Sequence, residues 1–434
     1  MTAVKGEPAR EGTSTGSTGL PRIVSADGQP TNLARHLQEH GHLPFRGGPL
    51  MLIGTIKAAG LTGRGGAAFP THRKLTAVAN QKGFPVVVGN GAEGEPASDK
   101  DKSLLWSSPH LVLDGLQLAA EAVGARQVHL YVHQHPSLMR HLHSTLADRV
   151  AAGVDRITVG LVGAPPRFLA GEESALASRV EGGAALPRFT PPRIFERGVH
   201  GAPTLVQNVE TLAQLALISR YGPDWFRALG TKAEPGSMLS TLRLSKGGGG
   251  VVETPIGTPI AELLRLAEHP GQAVLVGGYH GAWLASEQAR HLKLSNAALR
   301  PVGAAVGAGV LAALPHDRCG IVESARVVQY LALESAGQCG PCLNGLPRIA
   351  ATFTQLAECR SGAGARDDLL RWSQLVKGRG ACHHPDGTVR FLRSAMIVFA
   401  DEVTLHTAGR CSANNHEPFL PIPAGSPAHE NDWK

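Results

Sequence analysis

The sequence predicts an α/β protein with a smaller mixed α+β module in its middle and a helical region towards its end. Three observations support this. In the first half, short β-branched runs alternate with amphipathic helical segments, the pattern of βαβ units in a parallel sheet. Beyond a Gly/Pro-containing linker near Gly230 to Ser237, short strand-like runs surround a single helical segment. From Ile321 to His406 the apolar spacing becomes helical throughout.

Taken in order, residues 1–22 are polar and rich in Gly, Ser and Thr, and are expected as a disordered tail. The run Pro85 to Gly89 reads as a strand, His110 to Gly124 as a helix, Gln127 to His133 as a strand, Leu138 to Val154 as a helix and Ile157 to Val162 as a strand. Together they define an α/β unit over 23–230. Met238 to Leu244, Gly250 to Glu253 and Ala273 to Gly277 read as strands and Pro259 to Ala267 as a helix, a second unit over 231–310. The segments Ile321 to Ser335, Leu346 to Ala357, Asp367 to Lys377 and Val389 to His406 read as a four-helix bundle over 318–410. Cys339 and Cys342 fall in the loop between its first two helices, and 411–434 is left as a C-terminal tail.

Composition narrows the function classes. The chain has 434 residues, 42% hydrophobic and 18% charged, enough for several cores. No apolar run reaches the eighteen or so residues of a membrane helix, and the first residues lack the apolar centre of a signal peptide. The expectation is a cytoplasmic protein without direct membrane insertion. The net charge of +7 is scattered, with no basic run interleaved with aromatics, which favours a solvated basic surface over a nucleic-acid groove. Six cysteines in a reducing compartment point to metal or redox chemistry rather than a disulfide framework.

Four segments are candidates for a ligand site. Gly60 to Thr71 is glycine-dense and precedes His72, Arg73 and Lys74; closely spaced glycines let peptide N–H groups cradle phosphate oxygens, although the same segment is equally a flexible turn. Asn90-Gly91-Ala92-Glu93-Gly94-Glu95-Pro96 ends the first strand, where ligands of open α/β sheets sit. Its carboxylates suit sugar hydroxyls and a carboxamide, or form a solvated turn. Gly171-Glu172-Glu173-Ser174-Ala175-Leu176 places acids at the start of a helix, which the helix dipole favours by itself. Pro203 to Leu212 leads polar groups into a helix.

The stretch Cys339-Gly340-Pro341-Cys342 admits two chemistries: a thiol–disulfide oxidoreductase or part of an iron–sulfur ligand set. A thioredoxin-type dithiol follows a buried strand, usually after Trp; here the preceding segment is helical and Gln338 holds that position. A cluster needs a further cysteine, and Cys382 follows about forty residues after Cys342.

In order and wording these segments resemble the NADH-oxidising, FMN-binding flavoprotein subunit of respiratory complex I and its relatives in NAD-linked hydrogenases and formate dehydrogenases. The family's G-R-G-G-A-G-F-P-T matches Gly63 to Thr71, N-x-D-E-G-E-P-G matches Asn90 to Ala97, G-E-E-T-A-L matches Gly171 to Leu176, and P-T-x-V-N-N-V-E-T-L matches Pro203 to Leu212. The motif E-S-C-G-Q-C-T-P-C-R-x-G aligns with Glu334 to Gly345. The resemblance runs from about Leu50 to His406.

It implies a Rossmann-like FMN domain, a ubiquitin-like β-grasp insert of the SLBB type and a helical bundle with an iron–sulfur site. Carried over by position, Gly63, Arg64, Gly65, Gly66 and Lys74 would hold the FMN phosphate and ring, with Asn90, Glu93, Gly171, Glu172 and Asn208 as further cofactor contacts. Phe69, Glu95 and Glu173 would meet the nicotinamide dinucleotide, with Glu95 and Glu173 in the catalytic positions. Cys339, Cys342 and Cys382 would hold a 4Fe-4S or 3Fe-4S cluster. The implied activity is transfer of electrons from NAD(P)H through FMN and the cluster to a partner, ferredoxin-like or a 2Fe-2S subunit or a membrane reductase, at a site peripheral to a membrane complex. The rival readings are a non-catalytic assembly subunit that has lost flavin or cluster, and the dithiol oxidoreductase above.

Five positions depart from the family pattern. Ala336 stands where the first cluster cysteine is expected, leaving three thiolates, with His383, His384 or a small molecule as substitutes for a fourth. Ala92, Thr190, Arg193 and Gln207 replace an Asp, a Lys, a Phe and an Asn. Arg193 raises the expectation that the extra phosphate of NADPH is tolerated. Cys319, Cys359 and Cys411 match no ligand position and are expected as buried thiols.

Overall fold

A computed structural model describes residues 22–24, 29–44, 48–362, 364–415, 417–423 and 430–434. Of the segment expected as a disordered tail, all but Arg22 lies outside the described residues. Strands β1 (Val86–Gly91), β2 (Gln127–His133), β3 (Val159–Ala164) and β4 (Thr204–Asn208) form a parallel sheet in the order β3-β2-β1-β4. The valines of β1 are buried on both faces, which is why that run shows no polar alternation. Helices Pro109–Val123 and Val209–Arg227 pack together with backbones nearly touching: a Cβ on Gly115 would lie 2.1 Å from the Leu212 carbonyl oxygen. The first of them starts on Pro109 and stops at Gly124, whose φ of 70° is the left-handed conformation that ends helices.

Strand order fixes where a ligand binds. From β1 the chain moves outward to β2 and β3, then returns to the other side of β1 as β4. The switch point therefore lies between β1 and β4, the place where open α/β sheets bind ligands. Asn90 and Asn208 are register partners there. The strand β4 is an addition to the sequence reading, which saw only polar residues leading into a helix.

The second sheet has strands β5 (Ser237–Arg243), β6 (Gly249–Pro255), β7 (Ala273–Val276), β8 (Ala282–Ala285) and β9 (Val310–Leu314), in the order β6-β5-β9-β7-β8. Its first and last strands are adjacent and parallel; the other pairings are antiparallel. Alternate residues face two cores. Leu275, Val310 and Ala312 pack with the helical region, whereas Val274, Val276 and Leu311 pack with Ile260 and Leu264. The helix expected over Pro259 to Ala267 is a single turn, Ile260–Leu263, because the chain leaves helical geometry at Arg265, φ 48°.

The helical region comprises Gly320–Leu333, Leu346–Ala357, Ala365–Val376, His384–Val398 and Ala400–Thr407. The expected last helix is thus two, broken at Phe399 (φ −108°, ψ 35°), whose ring lies on Gly320; a Cβ there would come within 2.3 Å of it. The chain after the last helix folds back onto the core. Leu420 is buried, the N–H groups of Phe419 and Leu420 donate to Glu323, and the Tyr279 hydroxyl donates to the Pro421 carbonyl. Among the described residues no helix is long and apolar enough to cross a membrane.

Candidate active site

A cleft of about 390 Å³ opens at the switch point and is walled by all three parts of the chain. The parallel-sheet unit contributes Arg64, Gly65, Asn90, Glu93, Glu95 and Asn208, the five-stranded unit His280 and Ala308, and the helical region Ala381, Cys382, His383 and His384. Gly171, Glu172 and Thr190 also line it.

Its floor begins with the two asparagines. Asn90 Nδ2 donates to the Gly171 carbonyl and its Oδ1 accepts from Ala92 N. Asn208 caps the helix that follows it, accepting from Glu210 N, and donates to Asp101 Oδ2 at 2.6 Å. Beneath them lies a buried charge network: Lys100 Nζ is 2.6 Å from Asp101 Oδ1 and 3.1 Å from Glu210 Oε2. These carboxylates hold the Lys100 pKa above its ordinary value although burial lowers it. Arg64 joins the network from the glycine-rich loop, donating to Thr62 and to the Ser237 carbonyl. Its guanidinium is thereby tied into the protein, while its N–H donates to Thr211. The Gly65 and Gly66 N–H groups have no partner among the described residues.

Two carboxyls are tuned by burial. Glu93 is pushed up to about 8 by burial and by Asp101, with Lys100 opposing. Glu95 is pushed up to about 7 by burial, opposed by N–H donors from Tyr279 and Ala97. Glu95 reaches the tight turn between β7 and β8. Gly278 there has φ of 88°, and a Cβ on it would lie 2.5 Å from Glu95 Oε2, so glycine is required both for the conformation and for the contact. Glycine also closes the opposite wall, since a Cβ on Gly94 would come 2.1 Å from the Phe168 carbonyl oxygen and one on Gly171 2.5 Å from that of Ala92.

Other expected site residues lie at the margin. Glu172 lines the cleft but spends one carboxylate oxygen as helix cap, accepting from Ser174 N and Ala175 N at 3.0 Å. Glu173 points outward and pairs with Lys74, so two residues given separate ligands meet each other. Phe69 is half exposed, and neither it nor Gly66, Lys74 or Glu173 lines the cleft. Arg193 is exposed, with its N–H on Glu196, and lines neither the cleft nor the neighbouring cavity bounded by Arg188, Thr190 and Arg197. The expectation that it receives an NADPH phosphate has no support in that position.

Sequence reading missed His280 and gave His384 a role its surroundings do not allow. His280 Nε2 and His384 Nδ1 are 3.1 Å apart, and His384 Nε2 is 2.8 Å from the Leu331 carbonyl. The carbonyl takes the His384 proton, so His280 donates to His384 and joins the five-stranded unit to the helical region. Burial pushes His384 down to about 4. With both ring nitrogens engaged, His384 is not free to replace the missing fourth thiolate; His383, which lines the cleft, is the better placed of the two. The signal for His280 in sequence was the Gly277-Gly278-Tyr279-His280-Gly281 run, which reads as an ordinary turn.

The three expected ligand cysteines form one neighbourhood. Cys342 lies on a π-helical turn, Pro341–Gly345, that runs into the next helix, which corrects its placement in a loop. Burial raises Cys339, but N–H donors from Ala381 and Cys342 outweigh this and leave its pKa lowered. Cys342 is pushed up to about 12 by burial, by its hydrogen bond with Cys339 and by the charges of Cys339 and Cys382. Peptide N–H donation to sulfur and the mutual influence of three thiols fit thiolate ligands of an iron–sulfur group. The cleft's amides, carboxyls and the unpartnered Gly65 N–H fit a hydroxyl-rich phosphate ester such as FMN. Of the cysteines expected as buried thiols, Cys319 is buried, whereas Cys359 and Cys411 are only partly covered because each sits in the chain just beyond a helix end.

Comparison with known proteins agrees with this geometry. The Nuo51 FMN-binding domain matches residues 56–217, and the iron–sulfur binding region of NADH-ubiquinone oxidoreductase-F matches 323–406. An F-type subunit of the NADH-quinone oxidoreductase of Rhizobium meliloti is 30% identical over 386 residues, covering 83% of this chain and 90% of the relative. Its counterpart in Streptomyces coelicolor is 29% identical over 378 residues, covering 83% of each. Among solved structures, NAD+-reducing NiFe-hydrogenase in the H2-reduced state matches with a TM-score of 0.79 at 28% identity, over 89% of this chain and 68% of that one. The chain belongs to the family of F-type NADH-quinone oxidoreductase subunits.

Proposed function

We propose that this chain oxidises NADH on an FMN held in the cleft and delivers electrons through an iron–sulfur centre at Cys339, Cys342 and Cys382 to a partner redox protein. The observation that carries the reading is that Cys382 lines the same cleft as Gly65, Asn90, Glu95 and Asn208. One cavity wall belongs to the flavin-type site and the facing wall to the cluster-type site. FMN, when bound, converts a two-electron hydride donor into a source for one-electron acceptors.

The chain's own residues orient and select. The Gly65 N–H receives the phosphate, Asn90 and Asn208 fix the floor, and Glu93 accepts from ribityl hydroxyls. Glu95, near neutrality in its titration, meets a carboxamide without placing a full charge in the cleft. Lys74 and Glu173 pair with each other at the margin, outside the cleft lining. We read the five-stranded unit as a β-grasp insert, supported by its adjacent parallel first and last strands, and propose unit boundaries of 23–230, 231–310 and 318–410. Ala336 leaves the cluster with three protein thiolates and His383 or an exogenous group on the remaining iron. The partner is a 2Fe-2S or ferredoxin-like protein, in keeping with relatives that are subunits of larger enzymes.

Anaerobic titration with NADH and then NADPH, followed by visible absorption, tests this. Bleaching of a flavin band together with a broad iron–sulfur shoulder on NADH addition is the expected result. Correctly folded protein that stays colourless after flavin and iron supply would instead identify a scaffold subunit.

A further inference from the structure

At the opposite end of helix Gly320–Leu333 from Cys339, about 20 Å away by helix length, two of the cysteines expected as inert thiols are brought together. Cys319 starts that helix, Glu402 and His406 lie one turn apart on the last helix, and Cys411 follows it. The four donor atoms all lie within 4.8 Å of one another. We propose that Cys319, Glu402, His406 and Cys411 bind a zinc ion that fastens the segment after the last helix to the bundle.

Three of the donors already stand close to the spacing of a tetrahedral site, with Cys411 Sγ within 4.8 Å of each. Cys319 Sγ is 3.4 Å from His406 Nε2 and 3.7 Å from Glu402 Oε1, and those two are 3.0 Å apart. Metal–ligand bonds of about 2.0 to 2.3 Å place tetrahedral ligands roughly 3.3 to 3.8 Å from one another. His406 Nδ1 donates to the Leu356 carbonyl at 3.0 Å, which leaves the Nε2 lone pair for Cys319 and Glu402, the outer-shell arrangement of metal-bound histidines. Each anionic donor has peptide support. Val322 N and Ile321 N approach Cys319 Sγ, Ala413 N approaches Cys411 Sγ, and Ser412 N donates to Glu402 Oε1 at 2.9 Å. Two thiolates, an imidazole and a carboxylate select zinc over the hard cations. Binding replaces the two thiol protons with the metal and releases them to solvent. All four positions are filled by the chain, so the role is structural rather than catalytic.

The test is elemental analysis of the anaerobically purified full-length chain. Zinc near one equivalent is expected in the wild type and in Cys339→Ser, falling below about one fifth in Cys411→Ala. Chelation of the wild type should lower Tm by several degrees, with recovery on adding Zn2+ alone. Zinc K-edge absorption of the wild type should show mixed sulfur and nitrogen/oxygen ligation and covers the case of a variant that fails to fold. Equal zinc in wild type and Cys411→Ala, zinc lost in Cys339→Ser, all-sulfur ligation, or a Cys319–Cys411 disulfide by mass would each overturn the proposal.

Discussion

Glu93 and Glu95 sit where a carboxylate is poorly solvated, and the consequence reaches beyond the cleft. Both have folded-state pKa values, about 8 and about 7, above the ordinary glutamate value of 4.5. Between those limits the folded chain binds more protons than the unfolded one, so stability falls as pH rises and levels off above about 8. The buried histidines act in the opposite sense but lower down. His40 is pushed to about 4 and His110 to about 3, chiefly by burial, so their cost arises only as pH drops below 6.5. From pH 6.5 to 8.5 Tm should therefore decline, and Glu95→Gln should shallow that decline; an unchanged slope would show that Glu95 ionises freely. Ala336→Cys belongs to the same scale. It should raise iron towards about four per chain and make the centre more resistant to air.

Among elements, the glycine-rich loop and the buried charges beneath it separate binding from stability. A Cβ on Gly65, which lines the cleft, meets only the Asn208 side chain, no closer than 3.4 Å, an ordinary contact. Gly65→Ala should leave Tm unchanged while weakening FMN retention about tenfold, because only a ligand seated against the loop would feel the methyl group. Gly94→Ala should lower both, since its Cβ must displace the Phe168 backbone. Lys100→Met should cost about 3 to 5 kcal/mol in chemical denaturation, because Asp101 would remain buried without its cation and Glu210 with only Arg64, 3.9 Å away. Most elements were legible beforehand. Gln127 to His133 emerged with the bounds read from its alternation, and the helix over Pro109–Val123 carried both its Pro start and Gly stop. What escaped had no local signature. β4 and β9 are short and take their identity from the neighbours they pair with, and the break at Phe399 packs its ring on a glycine some eighty residues earlier in the chain.

For the whole molecule, the site exists only because three parts of the chain meet. Motifs placed Gly65, Asn90, Glu95 and Cys382 in their own segments, but nothing local brought His280 beside His384 or Cys319 beside Cys411. Contacts between the parts are polar as well as apolar: Arg167 lies 3.3 Å from Glu334, whose other oxygen accepts from Phe168 N, tying the cleft wall to the turn that precedes Cys339. Because the flavin-side and cysteine-side walls come from different parts, loss of one group should not entail loss of the other. Cys339 does not line the cleft. Cys339→Ser should thus lower iron content severalfold while FMN content and the bleaching of its band by NADH are retained, read by elemental analysis and anaerobic absorption. A dithiol oxidoreductase would behave differently: the wild type would hold no iron and would reduce insulin disulfides in a manner abolished by the same substitution. Simultaneous loss of iron and flavin in a folded Cys339→Ser chain would mean that the two walls form one cooperative site, and the division of labour across the cleft would have to be abandoned.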